Sequence, residues 1–178
     1  MIMAKEVKKF IGIDIGSKGF VSVIDEDEDI LEQFWLFDNP NNCECTELVN
    51  KLMRLAKYEG NCHVVMEDLH ALFGASASST FKLGGLAMAT EAVVAALGLP
   101  YTKVQAKKWQ KDIFQGIHIY KTSSTGKTKL LDTKRCSIMA CKRVFPGIDL
   151  RRTIKCKNDD DNKADSLCIA LYAKRKIG

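Results

Sequence analysis

The sequence feature that most constrains the fold lies near the start of the chain, where residues 10–17 read Phe-Ile-Gly-Ile-Asp-Ile-Gly-Ser. Its isoleucines alternate as in a β-strand with one buried face, and Asp14 falls on the opposite face. Glycines two residues to either side of the aspartate leave room for a bulky group to approach the backbone. A carboxylate in this position is costly to bury unless it is paired or binds a cation. An aspartate in a simple strand-end turn is the alternative, and the rest of the chain has to decide.

The order of the predicted elements indicates a mixed sheet. Three strand candidates with short links come first and are typical of an antiparallel meander. A helix and a fourth strand follow, and a right-handed crossover places that strand parallel to its sheet neighbour. We predict an α/β, RNase H-like fold: a five-stranded mixed sheet, antiparallel in strands 1-2-3 and parallel in strands 4 and 5, flanked by helices. The predicted strands after the first are residues 19–24, 30–37, 63–68 and 101–104, and the first helix covers residues 46–56.

The last predicted helix carries a second notable carboxylate. An acidic run over residues 158–165 opens a helix that continues through Tyr172. Its core stripe follows the i, i+3, i+4, i+7 spacing from Ala164 onward, and Asp165 borders that stripe. Acidic residues suit a helix N-terminus for capping and dipole reasons. Capping accounts for residues 159–161 but not for Asp165, which lies one turn further in.

Length and composition limit the class of protein. The 178 residues are 46% hydrophobic, which predicts one globular domain over residues 1–178. No apolar run approaches the roughly 20 residues of a membrane helix, so we expect no membrane partner. The chain begins without an apolar stretch of signal-peptide length, and its seven cysteines are scattered without C-x-x-C pairs. We therefore expect an intracellular protein with reduced thiols.

The charges are divided unevenly along the chain. Residues 1–102 carry 8 Lys and Arg against 15 Asp and Glu, whereas residues 103–178 carry 19 against 7. A basic half of this strength predicts a polyanionic partner, and nucleic acid is the simplest. A solvated lysine-rich surface is the alternative interpretation.

A Gly-Lys-Thr sequence at residues 126–128 invites comparison with a phosphate-binding loop. The P-loop pattern requires a glycine five positions before Gly126, and Lys121 stands there. No hydrophobic strand leads into the segment either. We therefore exclude a nucleoside-triphosphate site and predict a mobile basic loop over residues 121–129 that touches a nucleic-acid backbone.

Three carboxylates are predicted to meet at one point. If strands 1 and 4 are neighbours, Asp14 and Glu67 come close, and a helix packed on the sheet brings Asp165 to the same place. Like charges this close repel each other and raise a pKa, and divalent cations such as Mg²⁺ or Mn²⁺ remove the conflict. Two ions about 4 Å apart are able to clamp both oxygens of a phosphodiester displacement.

These motifs together resemble the RuvC-type Holliday junction resolvases of the RNase H-like fold. The resemblance rests on the strand order, the D-x-G of strand 1, the glutamate ending strand 4 and the Ala-Asp-Ser-Leu of the last helix. The Phe-Lys-Leu-Gly at residues 81–84 is similar to the K-L-G stretch of that family. The segments at residues 145–150 and 164–168 are most similar to the poxvirus branch.

The resemblance implies a Mg²⁺-dependent endodeoxyribonuclease that cuts four-way DNA junctions at two symmetric points. It implies a homodimer with two Mg²⁺ per active site, for which Mn²⁺ substitutes. For a poxvirus member the task would be resolving genome concatemers in the host cytoplasm. Asp14, Glu67 and Asp165 match the family's metal ligands. Lys111 and Lys134 resemble its DNA-contacting lysines, and Lys107, Lys108, Lys127 and Lys129 compete for that role.

One position departs from the family pattern. RuvC-like resolvases usually carry Asp or His three residues before the final aspartate, and Asn162 stands there. An amide oxygen ligates Mg²⁺ but brings no negative charge. Either Asn162 is natural and Asp161 supplies the charge of the fourth catalytic and metal-ligand position, or Asn162 is an inactivating Asp-to-Asn change. The sequence slightly favours the second interpretation, because the rest of the site is intact.

Three other functions remain as alternatives. The glycine-flanked Asp14 also resembles the first phosphate motif of actin-like proteins and sugar kinases, but those need two domains and a second glycine-rich motif. A simple RNase H that cuts RNA–DNA hybrids and a non-catalytic nucleic-acid binder share the predicted fold. The long helix predicted over residues 80–97, with its Gly84–Gly85 pair, argues for a dimer, which an RNase H does not need.

Overall fold

A five-stranded sheet forms the centre of the molecule in the computed structural model, which describes residues 8–39, 41, 44–58, 61–69, 76–123, 126 and 128–178. The strand order is β3-β2-β1-β4-β5. The first three strands pair antiparallel, and β4 and β5 run parallel to β1. The predicted mixed sheet is therefore confirmed. The strands are β1 (Lys9–Asp14), β2 (Phe20–Ile24), β3 (Ile30–Trp35), β4 (Cys62–Glu67) and β5 (Tyr101–Val104).

Helices cover both faces of this sheet. Two pack on the face that carries the alternating isoleucines of β1, and three pack on the face that carries Phe10, Gly12 and Asp14. The first pair is α1 (Thr46–Tyr58) and α2 (Ala77–Ala96). The second group is α3 (Ala106–Ile113), α4 (Thr133–Val144) and α5 (Asp161–Ile177). Asp14 thus lies on the face opposite the isoleucines, as predicted.

The last helix crosses directly over the first strand, and Gly12 is the reason that it fits. A Cβ atom at Gly12 would fall 2.9 Å from the Cα of Ala170 and closer still to the carbonyl oxygen of Ser166. The predicted close approach to the backbone is real at this glycine, and the approaching group is α5. Gly16 has no comparable neighbour among the described residues, since only the Lys18 nitrogen comes within 4.0 Å.

Two local predictions need correction. Tyr120–Thr122 and Lys129–Leu131 form an antiparallel hairpin, β6 and β7, where the sequence predicted only a loop. Strands of three exposed residues are too short for a periodicity signal. Helix α2 starts at Ala77, capped by the Ser76 side chain, three residues before the start that the sequence predicted. None of the helices in the described part of the chain has the length and apolarity needed to cross a membrane.

Candidate active site

Two of the predicted carboxylates lie side by side at the carboxyl ends of neighbouring strands. Strands β1 and β4 are parallel, and their register pairs Gly12 with Val65 and Ile13 with Met66. The next residues along are Asp14 and Glu67. Adjacent strands are about 4.8 Å apart, and both side chains point to the face covered by α5. The carboxyl end of a parallel pair is where α/β proteins most often place their ligands.

A polar network fixes α5 above these strand ends and brings Asp165 to them. The Ser166 hydroxyl lies 2.7 Å from the Ser22 hydroxyl on β2, and Gln33 of β3 donates to Ser22 at 2.8 Å. Ser22 and Ser166 are fully buried, so this contact fixes the position of the helix over the sheet. Asp165 precedes Ser166 and is directed at the same end of the sheet. No sequence pattern predicts this network, because its members are far apart in the chain.

The electrostatics indicate that the carboxylates act on one another. Burial raises the pKa of Asp14 well above its ordinary value, and the nearby charges of Asp165 and Glu67 raise it further. Burial also raises the pKa of Asp165 to about 7, against a hydrogen bond from Ser137 that lowers it. Glu67 adds to the rise at Asp165 by repulsion. The three carboxylates therefore form one strained negative cluster.

Trp109 is a member of the site that sequence reasoning missed. Its indole nitrogen donates to Oε1 of Glu67 at 2.8 Å, and its side chain is fully buried beneath α3. Burial raises the pKa of Glu67, and the bond from Trp109 opposes that rise. No sequence pattern reveals that this indole faces a carboxylate 42 positions away.

The first turn of α5 divides its acidic residues between two roles. Asp160 is the N-cap and accepts hydrogen bonds from the backbone nitrogens of Asn162 and Lys163. Burial alone would raise the pKa of Asp160, but an ion pair with Arg152 and the bonds at the cap lower it. Asp160 is thus an ionised structural cap that is paired with Arg152, which agrees with the expected capping role of this acidic run.

Asp161 and Asn162, the two candidates for the fourth ligand, point to different partners. The side-chain amide of Asn162 donates to Oδ1 of Asp160 at 2.9 Å, which holds it at the cap. Asp161 forms an ion pair with Lys134 at 2.6 Å. Its charge contributes to the raised pKa of both Asp14 and Asp165. Asp161, and not Asn162, therefore acts electrostatically as part of the carboxylate cluster in this conformation.

The candidate ligands are carboxylate oxygens with uncompensated charge, which is the ligand type that hard divalent cations prefer. Among the residues that the structure describes, no group of three or more acidic, histidine or cysteine side chains is arranged to hold a metal ion. Two of the candidate ligands have a protein partner: Trp109 donates to Glu67, and Lys134 forms an ion pair with Asp161.

The predicted DNA-contacting lysines fall into two groups. Lys107, Lys108 and Lys111 are exposed on the outer face of α3, whose inner face carries Trp109. Lys134, at the start of α4, is 65% exposed and reaches the cluster through Asp161. Lys127 lies outside the described residues, while Lys129 is exposed in β7. The structure thus places exposed basic side chains on α3 and at the start of α4, and of these Lys134 pairs with a residue of the carboxylate cluster.

Two solved structures share the fold of this chain. T. thermophilus RuvC in complex with a Holliday junction substrate matches with a TM-score of 0.58 and 14% sequence identity, over 94% of this chain and 96% of that one. A second Thermus thermophilus RuvC structure matches with a TM-score of 0.54 and 16% identity, over 92% and 91% of the two chains. No protein-family model and no curated protein sequence matches this chain. The chain therefore has the RuvC-type, RNase H-like fold.

Proposed function

We propose that this protein is an endonuclease that resolves four-way DNA junctions by paired, symmetric hydrolysis of phosphodiester bonds. One observation carries the proposal: Asp14, Glu67 and Asp165 converge at the carboxyl ends of β1 and β4, and their pKa values rise together. Uncompensated negative charge in such a cluster destabilises the folded protein, and a bound cation would neutralise it. The full-length likeness to RuvC, one structure of which holds a Holliday junction, supports branched DNA as the substrate.

The proposed cofactor is a pair of Mg²⁺ ions, with Mn²⁺ as a substitute. Asp14, Glu67 and Asp165 would hold them, with Asp161 as the fourth ligand. Bound there, the ions would supply Lewis-acid stabilisation of the scissile phosphate and activation of water. Among the chain's own residues, Trp109 orients the Glu67 carboxylate through its N–H, and Lys134 holds Asp161 beside the cluster. Such outer partners fix the direction of ligand oxygens.

The lysines beside the cluster are proposed to bind the DNA backbone. Lys107, Lys108 and Lys111 project from one exposed helix face, while Lys134 stands at the edge of the carboxylates. Lys127 is retained as a proposed contact from the sequence. Phosphate contacts of this kind position the duplex without reading its sequence. They also release counterions, so affinity for a junction should fall steeply as salt rises.

The proposed enzyme is a homodimer that pairs through α2. Phe81 is 86% exposed and Met88 is 66% exposed, and both lie on one stripe of this helix with Gly84 and Gly85. A Cβ at either glycine would meet nothing within 4 Å, so packing within the described chain does not require them. Glycine in a helix interior costs roughly 1 kcal/mol relative to alanine, and close approach of a second copy would explain both glycines.

The sequence motifs at residues 145–150 and 164–168 support a further step, a viral resolvase of the poxvirus branch that separates genome concatemers in the host cytoplasm. The proposed activity is tested with three labelled substrates in Mg²⁺ or Mn²⁺: an immobile four-way junction, a linear duplex of the same sequence and an RNA–DNA hybrid. Selective cutting of the junction supports the proposal. Equal cutting of the linear duplex contradicts it, and preferential cutting of the hybrid would identify an RNase H instead.

A further inference from the structure

A cavity of about 550 Å³ opens between α3 and the β6–β7 hairpin, on the side of α3 away from the carboxylate cluster's strands. This volume lies in the range of small-molecule sites. Its walls combine apolar side chains, amides, the imidazole of His118 and two lysines, and no carboxylate lines it. The lining side chains on which the inference rests are Lys107, Gln110, Lys111, Phe114, Gln115 and Leu131.

The floor of the cavity is held in a fixed shape. Arg143 of α4 donates to the carbonyl oxygens of Ile113 at 3.0 Å and of Gln115 at 2.7 Å, which secures the turn that follows α3. The Phe114 ring packs edge-on against Trp109, with ring centroids 5.6 Å apart. A ligand that enters the cavity therefore meets a preorganised apolar surface, and little ordering has to accompany binding.

The polar groups around the cavity suggest an anionic ligand with a flat apolar part. Lys107 and Lys111 are one helical turn apart on the rim, both are exposed, and neither forms an ion pair with any described residue. The side chains of Gln110 and Gln115 likewise have no hydrogen-bond partner in the part of the chain that the structure describes. An amide offers both a donor and an acceptor, which is what the edge of a nucleobase requires.

We propose that this cavity binds one unstacked nucleobase of a DNA strand, while Lys107 and Lys111 bind its flanking phosphates. The inference rests on the proposed function for the identity of the nucleic acid. The cavity also has a physical link to the cluster, because Phe114 packs on Trp109 and Trp109 bonds Glu67. Bases at a branch point have fewer stacking partners than bases in a duplex, so a base pocket here favours branched over linear DNA.

The test measures binding of two short dye-labelled single strands, hexathymidylate and the same strand with one central base replaced by an abasic sugar. Both carry the same phosphates, so only a base pocket separates them. We expect the unaltered protein to bind the base-containing strand at least about fivefold more tightly, the lower end of base-stacking effects. Equal affinities for the two strands would overturn the proposal.

A pair of matched variants locates the effect. Leu131→Trp fills the cavity, whereas Leu130→Trp adds the same bulk on the opposite face of β7, because successive strand residues alternate in direction. The first should abolish the preference for the base and the second should keep it. Persistence of the preference in Leu131→Trp would contradict this site. If Leu131→Trp does not melt like the unaltered protein, Gln110→Trp fills the cavity from the helix side and gives the same two outcomes.

The charge on the rim is tested separately with Lys107→Gln/Lys111→Gln. This variant should weaken binding of both strands by the same factor and leave their ratio unchanged, because the phosphates are common to both. A loss confined to the base-containing strand would contradict the assigned roles. These measurements need no cleavage, so they separate the two proposals. Base preference without junction cutting would contradict the proposed nuclease activity. Junction cutting without base preference would contradict the proposed base-binding cavity.

Discussion

Replacing Asp165 with asparagine should stabilise the metal-free protein much more at alkaline pH than at acidic pH. Burial and the neighbouring charges raise the pKa of Asp165 from 3.8 to about 7. In the folded protein this carboxyl therefore keeps its proton at pH values where the unfolded chain has lost it. Stability that is fully present below pH 3.8 is then lost as the pH rises, and the loss is complete above about pH 7.

The size of the effect follows from the shift. A rise from 3.8 to about 7 corresponds to ~4 kcal/mol of unfavourable ionisation, and relaxation of the site reduces it. We expect Asp165→Asn to gain about 2–4 kcal/mol at pH 8 and about 0.5 kcal/mol at pH 4. For a chain of this length each kcal/mol raises the melting temperature by about 2–4 °C.

The assay is denaturant or thermal unfolding in EDTA at both pH values, followed by the same measurement with Mn²⁺ at pH 8. Asp149→Asn is the matched control, because Arg151 holds the pKa of that exposed carboxyl below its usual range, and it should not stabilise the protein. Mn²⁺ should stabilise the unaltered protein and have little effect on Asp165→Asn. An Asp165→Asn variant that is no more stable than the unaltered protein at pH 8 would refute the reasoning.

The remaining predictions concern activity and assembly. Junction cleavage in a gel assay should be abolished, and junction binding spared, by each of Asp14→Asn, Glu67→Gln and Asp165→Asn. The reason is that the carboxylate charges are needed to bind the metal ions, whereas the lysines bind the DNA. Trp109→Phe keeps the core but removes the N–H donor, so it should lower cleavage about 10–100-fold and move the acidic limb of the pH–rate profile upward. Asp161→Asn should greatly reduce cleavage, while Asn162→Asp should change it little, because the Asn162 amide is held at the helix cap. Gly85→Leu should convert the dimer to a monomer in sedimentation, since a side chain there blocks close approach.

Each of these predictions has its own control and opposing outcome. Normal cleavage by any one carboxylate variant would remove that residue from the site. Trp35→Phe is the control for Trp109→Phe, and an unchanged pH–rate profile would show that the indole only packs. Cleavage raised well above the present level by Asn162→Asp, with no effect of Asp161→Asn, would identify Asn162 as an inactivating change. A folded dimer of Gly85→Leu would count against the α2 interface.

The features that the sequence predicted well are those that depend on local pattern. Alternating isoleucines around Asp14 define the two faces of β1 and set Asp14 on the face opposite to them, and short links between three strands leave little choice but a meander. The parallel pairing of β1 with β4 follows from one helix between them and the handedness of crossovers. Together these rules were sufficient to bring Asp14 and Glu67 to the same edge of the sheet.

The features that the sequence did not predict depend on contacts between distant segments. The Trp109–Glu67 bond and the Ser22–Ser166 contact join positions 42 and 144 residues apart, and no periodicity reports such pairs. For Asp161 and Asn162 the structure adds the partner of each side chain: Asn162 bonds to the helix cap, and Asp161 pairs with Lys134. From the sequence the two had appeared nearly equivalent, with a slight preference for Asn162.

The most direct test of the central claim is to map the cuts on an immobile four-way junction with each strand labelled in turn, in Mg²⁺ and in EDTA. The account predicts paired nicks at symmetry-related positions in two opposite strands, only with the metal present, and nicked duplex products that DNA ligase seals. Cuts that are scattered, unpaired or equally frequent in a linear duplex would contradict the claim that these carboxylates form the active site of a junction resolvase.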